Sequence, residues 1–79
     1  MNIIVKLHAT LRKYLPAGSH DNVVPLQMPE GATVADVITH LAISPAHTRM
    51  IVSGADHLEP TTVLHDGQEV NLFPPLAGG

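Results

Sequence analysis

The sequence predicts an α+β fold in which one main helix covers one face of a mixed sheet of four to five strands. Residues 2–8 and 69–73 have an apolar residue at every second position, the period of two that half-buried strands show. Between them, the segment that begins at Thr33 has the periodicity of an amphipathic helix. A chain of 79 residues has the size of one domain, and we expect residues 1–79 to form it.

The first strand is predicted over residues 2–8, with its odd-numbered apolar residues on one face and Ile4, Lys6 and His8 on the other. Apolar residues spaced i, i+3, i+4 over residues 11–15 then indicate a short helical turn that covers one end of the core.

The second strand is predicted at residues 24–28, and Pro25 makes it an edge strand because proline cannot donate a ladder hydrogen bond.

The main helix follows this strand. Thr33 is a good N-cap, and Asp36 three residues later forms an aspartate variant of the capping box. The helix is expected to end at Ser44-Pro45, because the residue before proline avoids helical torsions. Its apolar stripe consists of Val34, Val37, Ile38 and Leu41.

The last third of the chain predicts strands at residues 50–52 and 57–58. Asp66-Gly67 is a turn signal that leads into the last strand, residues 69–73. In that strand the even-numbered apolar residues face the core, and the odd-numbered residues, which include Phe73, face away.

Composition excludes several classes of protein. The chain is 44% hydrophobic and 14% charged, which is typical of a globular protein. Nucleic-acid binding requires positive charge and aromatic stacking surfaces. The chain has a net charge of −3 and only two aromatic residues, so no nucleic-acid partner is expected. No apolar run approaches the ~20 residues of a membrane span, and no signal peptide is evident. We therefore expect no membrane partner and a cytoplasmic location.

No residue pattern indicates catalysis or metal binding. The chain has no cysteine, which excludes disulfides, thiolate nucleophiles and most structural zinc sites. The six histidines show no helical i, i+4 pair, so no metal site is expected and exposed surface histidines are the favoured interpretation. The serines lack the context of a nucleophile elbow. We therefore find no catalytic constellation in the sequence.

The most informative stretch is Phe73-Pro74-Pro75-Leu76-Ala77-Gly78-Gly79. The two prolines restrict φ and remove two donors, so a strand cannot continue past Phe73. The residues beyond them carry little side-chain bulk and a free backbone, which suits a narrow channel. We expect residues 74–79 to form a flexible tail. The alternative is a frayed terminus without function.

The order of elements, the turn Asp66-Gly67-Gln68-Glu69-Val70 and the final seven residues resemble the MoaD/ThiS sulfur-carrier family. Within that family the likeness is greatest to the small subunits of molybdopterin synthases. The resemblance implies a ubiquitin-like β-grasp fold. One departure is Ser53-Gly54, where many relatives have asparagine before the glycine, and the turn is expected to survive it.

The resemblance also implies a carrier without catalytic residues of its own. The Gly79 carboxylate would be adenylated by a ubiquitin-activating-type enzyme that uses ATP, and a persulfide sulfur donor would convert it to a thiocarboxylate. Gly78, which has no side chain, would keep the end of the chain slender enough to enter a buried pocket of the partner. The molybdopterin synthase large subunit, or an equivalent sulfur acceptor, would then take the sulfur. The carrier itself would bind no cofactor.

Partners are expected to dock on the outer face of the sheet, where Phe73, His8 and Ile4 would form a patch. The tail residues Pro74, Pro75, Leu76 and Ala77 would enter the partner. Other functions stay open: a carrier for thiamine or another sulfur pathway, a ubiquitin-like modifier that forms isopeptide bonds with lysine, or an interaction module whose tail is incidental.

Overall fold

The fold is a mixed five-stranded sheet with the strand order β2-β1-β5-β3-β4. A computed structural model describes residues 1–19 and 21–75. Within these residues the helical elements are one α-helix, α1 (Val34–His40), and two 3-10 helices (Ala9–Tyr14 and Pro45–His47). The predicted α+β fold is therefore confirmed. The strands are β1 (Asn2–Leu7), β2 (Val23–Gln27), β3 (Met50–Ser53), β4 (Asp56–His57) and β5 (Glu69–Phe73).

The last strand lies in the interior of the sheet. β5 runs parallel to β1, with Leu72 opposite Leu7, and antiparallel to β3, with Leu72 opposite Ile51. Val70 and Leu72 are fully buried, while Glu69, Asn71 and Phe73 face the other side. The predicted alternation is confirmed, and the chain leaves the sheet from a strand that is hydrogen-bonded on both sides.

The predicted turn at Asp66-Gly67 is present and attaches β5 to the beginning of β1. The Asn2 N–H donates to Asp66 Oδ1 at 2.6 Å, and the Gly67 N–H donates to the Asn2 carbonyl at 2.6 Å. Gly67 has a φ of 81°, a torsion that a residue with a Cβ rarely adopts. The turn therefore sets the register of the two parallel strands.

The two edges of the sheet are a proline-containing strand and a very short one. β2 is an edge strand with Pro25 exposed, as predicted. At the other edge, β4 is shifted by one residue from its predicted position and pairs with β3, with Ser53 opposite Asp56. Gly54 in this hairpin has a φ of 60°, so the predicted turn is retained with serine before the glycine.

The core is aliphatic and lies between α1 and one face of the sheet. Val34, Val37 and Ile38 are buried in one cluster with the inward residues of β1 and β5, so the predicted helix stripe faces the core. Leu41 is only half-buried at the border of this cluster. The buried strand residues of that cluster on β1 and β5 are Ile3, Val5, Leu7, Val70 and Leu72.

The helix begins as predicted but ends earlier than predicted. The Thr33 N–H donates to Asp36 Oδ2 at 2.8 Å, and the Asp36 N–H donates to Thr33 Oγ1 at 3.3 Å, which completes the capping box. The predicted end at Ser44-Pro45 is wrong, since α1 stops at His40 with Leu41 as its C-cap. The proline is therefore not what terminates the helix.

A left-handed residue terminates the helix instead. Ala42 has a φ of 59°, its N–H donates to the Thr39 carbonyl at 3.0 Å, and the Ile43 N–H donates to the Ile38 carbonyl at 3.1 Å. This pair of bonds is the Schellman motif, in which the left-handed position is usually glycine. Alanine at this position gave no sequence signal for the helix end.

Replacing Ala42 with glycine is expected to stabilise the protein by up to about 1 kcal/mol, because glycine adopts the left-handed conformation without the steric cost of a Cβ. The matched control is Ala35→Gly in the exposed part of α1, which should destabilise by roughly 0.5–1 kcal/mol. Urea unfolding of both variants measures the difference. A loss of stability in Ala42→Gly would contradict the strain argument.

Candidate functional site

The site is the end of the sheet from which the tail leaves. Here the strands begin and finish, and it is not one of the outer strands β2 and β4. β1 and β5 end at this edge and β3 begins there, because β5 is parallel to β1 and antiparallel to β3. We call it the exit edge. The His8 N–H donates to the Leu72 carbonyl at 3.1 Å, and the Arg49 N–H donates to the Phe73 carbonyl at 2.8 Å. β5 is thus hydrogen-bonded up to its last residue, so Pro74 leaves from a fixed point.

His8 and Phe73 form a stacked pair on the open face of the sheet. Their ring centroids lie 4.3 Å apart with an interplanar angle of 7°. His8 Nε2 lies 2.9 Å from Asn71 Oδ1, and because an amide oxygen only accepts, Nε2 donates in this bond. Both rings are half-buried. The contacts hold the Phe73 ring in one orientation while part of its surface stays accessible.

A row of two polar side chains, Lys6 and Asn71, lies between this stacked pair and Ile4. Lys6 lies opposite Asn71, and its Nζ is 3.4 Å from Glu69 Oε1. Asn71 Nδ2 donates to the Val52 carbonyl at 3.4 Å. Of the three residues predicted to form a docking patch, His8 and Phe73 are therefore in contact. Ile4 shares their face but lies opposite Glu69, beyond the row. Docking of a partner on this face stays a prediction.

A groove of about 310 Å³ adjoins the other side of Phe73 at the exit edge. Met50, opposite Phe73 in the sheet, is 39% exposed, which is high for a large apolar residue. Arg49 contributes the charge among its lining residues. We call this the exit groove, and it is lined by Ala9, Thr10, Arg49, Met50, Phe73, Pro74 and Pro75.

Asn71 and most of the exit groove were not predicted from the sequence as parts of the site. Asn71 was detectable, because the period of two places it on the same face of β5 as Phe73. The groove was not, since residues 9–10, 49–50 and 73–75 are brought together only by the strand pairing.

The predicted tail is described only in part. Pro74 is half-buried and Pro75 is exposed, and both line the exit groove. The predicted site residues Leu76, Ala77, Gly78 and Gly79 lie outside the described residues. Their roles stay predictions.

Within residues 1–19 and 21–75, no group of three or more His, Cys, Asp or Glu residues could hold a metal ion. No helix in the same part of the chain is long and apolar enough to cross a membrane.

The mixed sheet with one helix on one face defines a ubiquitin-like β-grasp protein. The model of the ThiS family matches residues 5–79, and the chain belongs to this family. The resemblance to the MoaD/ThiS proteins is thereby confirmed.

Solved structures show the same fold. Small archaeal modifier protein 1 (SAMP1) of Haloferax volcanii is 22% identical with a TM-score of 0.74, and each chain is covered over 100% of its length. A structure described as molybdopterin converting factor subunit 1 of Pyrococcus furiosus is 23% identical with a TM-score of 0.71, covering 95% of this chain and 98% of that one. The Haloferax volcanii HVO 2177 protein is 27% identical with a TM-score of 0.73, covering 100% of this chain and 87% of that one. No curated protein matches the chain significantly.

Proposed function

We propose that this chain is a sulfur carrier for molybdopterin synthesis, and that the carboxylate of Gly79 is adenylated and then converted to a thiocarboxylate. The observation that carries the proposal is the fixed exit of Pro74 from β5, which is hydrogen-bonded on both sides up to Phe73. Four residues follow Pro75 and end in Gly78-Gly79. The proposal requires that Gly79 be the terminal residue in the cell.

The chemistry explains why the carrier needs an activating partner. A carboxylate is ionised at neutral pH and is a poor electrophile. In the partner, a carboxylate oxygen attacks the α-phosphorus of ATP, and pyrophosphate leaves to give an acyl adenylate. A persulfide then attacks the acyl carbon and AMP leaves. A thiol finally cleaves the sulfur–sulfur bond, which leaves the thiocarboxylate on the carrier and a disulfide on the donor side.

The contribution of this chain is presentation of the reacting group. A thin arm that leaves from a fixed point limits the positions that the carboxylate can take relative to the partner. Positioning of this kind accounts for much of the rate enhancement of a reaction between two reactants. A misplacement of ~1 Å can lower the rate about a hundredfold. The hydrogen bonds of His8 to Leu72 and of Arg49 to Phe73 provide that fixed point.

The fold supports other uses of the same terminus. One relative in structure is described as a molybdopterin converting factor and another as a modifier protein, and both share this fold at 22–23% identity. We favour molybdopterin because of the Phe73-Pro74-Pro75 exit. A carrier for thiamine or another sulfur pathway and a ubiquitin-like modifier use the same activated carboxylate, so their products distinguish them.

Intact mass spectrometry tests the proposal. The protein is incubated with ATP, a persulfide donor and the adenylating enzyme of its own organism. The expected product is heavier by the replacement of one oxygen with one sulfur, and it reverts to the carboxylate when the molybdopterin synthase large subunit and its substrate are added. Reactions without ATP, and a chain ending at Ala77, serve as controls. No conversion overturns the proposal, and lysine conjugates would indicate a modifier instead.

Replacing Phe73 with alanine is expected to leave the protein folded and to weaken partner binding by about tenfold or more. Phe73 is half-buried on the open face, and burial of a phenylalanine in an interface is worth roughly 1.5–3 kcal/mol. Titration calorimetry with the large subunit measures the affinity. Val63→Ala is the matched control, because Val63 is 51% exposed and pairs with Thr33 at the start of the helix. Unfolding of Phe73→Ala would show that the ring belongs to the core.

A further inference from the structure

The turn that precedes β5 contains the dipeptide Asp66-Gly67, which is a chemically reactive sequence. In such a pair the backbone nitrogen of the glycine can attack the aspartate side chain, because no side chain on the second residue hinders the approach. Of the four aspartates in the chain, only Asp66 precedes a glycine. Both residues of the pair are exposed, so water has access to them.

The reaction moves a peptide bond from the main chain to the side chain. The Gly67 nitrogen forms a bond to Asp66 Cγ, and the amide hydrogen leaves with the hydroxyl of the protonated carboxyl group as water, which gives a cyclic succinimide. Water then adds to one of the two ring carbonyls. Addition at Cγ restores aspartate, whereas addition at the main-chain carbonyl carbon gives isoaspartate. The reaction needs no oxidant or cofactor, and the final mass is unchanged.

The geometry of the turn opposes formation of this ring. The Gln68 N–H donates to the His65 carbonyl at 3.1 Å, and φ is positive at Gly67 but not at Asp66, which defines a type II turn. The first central residue of a type II turn has a ψ of about +120°. The ring requires instead that the Gly67 nitrogen eclipse Asp66 Cβ about the Cα–C bond. The closed turn therefore keeps the two reacting atoms apart.

Hydrogen bonds also occupy both reacting groups. The Gly67 N–H donates to the Asn2 carbonyl at 2.6 Å, and Asp66 Oδ1 accepts from the Asn2 N–H at 2.6 Å. Within the turn, the His65 N–H donates to Gln68 Oε1 at 2.9 Å. Ring closure therefore requires that the turn first separate from β1.

We propose that Asp66-Gly67 is an isoaspartate-forming modification site, which is protected while the turn is attached to β1 and reacts when the turn opens. Folded proteins open locally at free energies that range from zero to that of global unfolding. The product keeps the turn open, because the main chain across it is one carbon longer and cannot restore both bonds to Asn2. This inference is independent of the proposed function.

The site also implies a class of partner. Isoaspartate carries a free α-carboxylate beside the main chain, and repair methyltransferases that use S-adenosylmethionine methylate this group. Since the turn sets the register of β1 and β5, the modified chain is expected to melt at a lower temperature than the parent. Equal melting of the isoaspartyl chain, separated by chromatography, would overturn this effect of the modification.

The test is ageing of the intact chain at neutral pH and physiological temperature, with and without denaturing guanidinium chloride. Labelled methyl groups transferred from S-adenosylmethionine by an isoaspartyl methyltransferase measure the isoaspartate. Cleavage after Arg49 releases a peptide that contains Asp56 and Asp66, and electron-transfer fragmentation assigns the modification to one of them. Isoaspartate should form at Asp66 and not at Asp56. Its formation should be slower in the folded chain than in the denatured chain by about tenfold or more.

Two variants of Asn2 isolate the backbone contact. Asn2→Pro removes the N–H that donates to Asp66, whereas Asn2→Ala keeps this N–H. Both variants lose the same side-chain bond to Gln27. Without denaturant, Asn2→Pro should form isoaspartate about tenfold faster than Asn2→Ala, because it lacks a hydrogen bond to a charged acceptor. In denaturant the two variants should react at equal rates.

A second measurement applies if melting curves show that Asn2→Pro does not fold. In the unaltered chain, low concentrations of denaturant should raise the rate of isoaspartate formation in parallel with hydrogen exchange of the Gly67 amide, because both require the same opening. A rate of isoaspartate formation that stays constant while exchange increases overturns the protection by the turn.

The remaining outcomes separate the parts of the inference. Absence of isoaspartate at Asp66 in the denatured chain overturns the site itself. Equal rates in the folded and denatured chains overturn the protection. Equal rates in folded Asn2→Pro and Asn2→Ala overturn the role of the Asn2 N–H.

Discussion

Replacing Gly78 with valine is expected to leave folding unchanged and to reduce thiocarboxylate formation by about a hundredfold or more. Gly78 lies outside every segment of the sequence that has the periodicity of a strand or helix. Valine there should therefore have no effect on the core. In the channel of a partner, its β-branched side chain adds bulk and restricts torsions that glycine adopts freely.

Melting curves and intact mass after the activating reaction measure the two parts of this expectation. A chain extended by one residue beyond Gly79 is the companion variant. It should fold and bind as the parent does and fail to react, because the carboxylate would no longer belong to the glycine. Full conversion of either variant, without trimming of the extended one, would overturn the carrier mechanism.

Replacing Leu72 with alanine is expected to destabilise the protein by about 2–5 kcal/mol. Leu72 is fully buried on β5, between Leu7 and Ile51 of the neighbouring strands. A domain of 79 residues has a total stability of only about 4–12 kcal/mol at ~0.05–0.15 kcal/mol per residue. The loss is a large fraction of this total, so the variant should melt at a markedly lower temperature.

Urea unfolding followed by circular dichroism measures this loss, and Leu41→Ala is its control. Leu41 is a leucine of the same core but half-buried at the end of α1, so its truncation should cost no more than about 2 kcal/mol, the lower end of the usual range. Equal losses in the two variants would show that β5 is not the centre of the core.

Strand and helix faces could be predicted from sequence wherever a periodic pattern was strong. β1 and β5 alternate along their whole lengths, so their inward and outward residues were correct. The start of α1 was correct because Thr33 and Asp36 satisfy the backbone groups that every helix start exposes. The predicted end of α1 was wrong, because Ala42 adopts a φ value that sequence patterns associate with glycine.

The candidate site was predictable where it is contiguous in sequence, or where alternation places residues on the outer face, as it does for His8 and Phe73. Phe73-Pro74-Pro75 indicated the point of exit, because proline ends a ladder by its own chemistry. The stacking of His8 on Phe73 depends on the parallel pairing of β1 with β5, and alternation alone does not reveal which strands pair. Arg49 and Met50 entered the site for the same reason, through the pairing of β3 with β5.

The central place of β5 also means that the sheet can close only when residues 69–73 join it. Without β5 the sheet divides into two separate hydrogen-bonded pairs, β2 with β1 and β3 with β4, since β5 joins them. The turn that attaches β5 to β1 connects residues 64 positions apart. During synthesis, the sheet can therefore close only after the chain has left the ribosome as far as residue 73. The strand that closes the sheet is also the strand from which Pro74 leaves, so closing the sheet also fixes the point of exit.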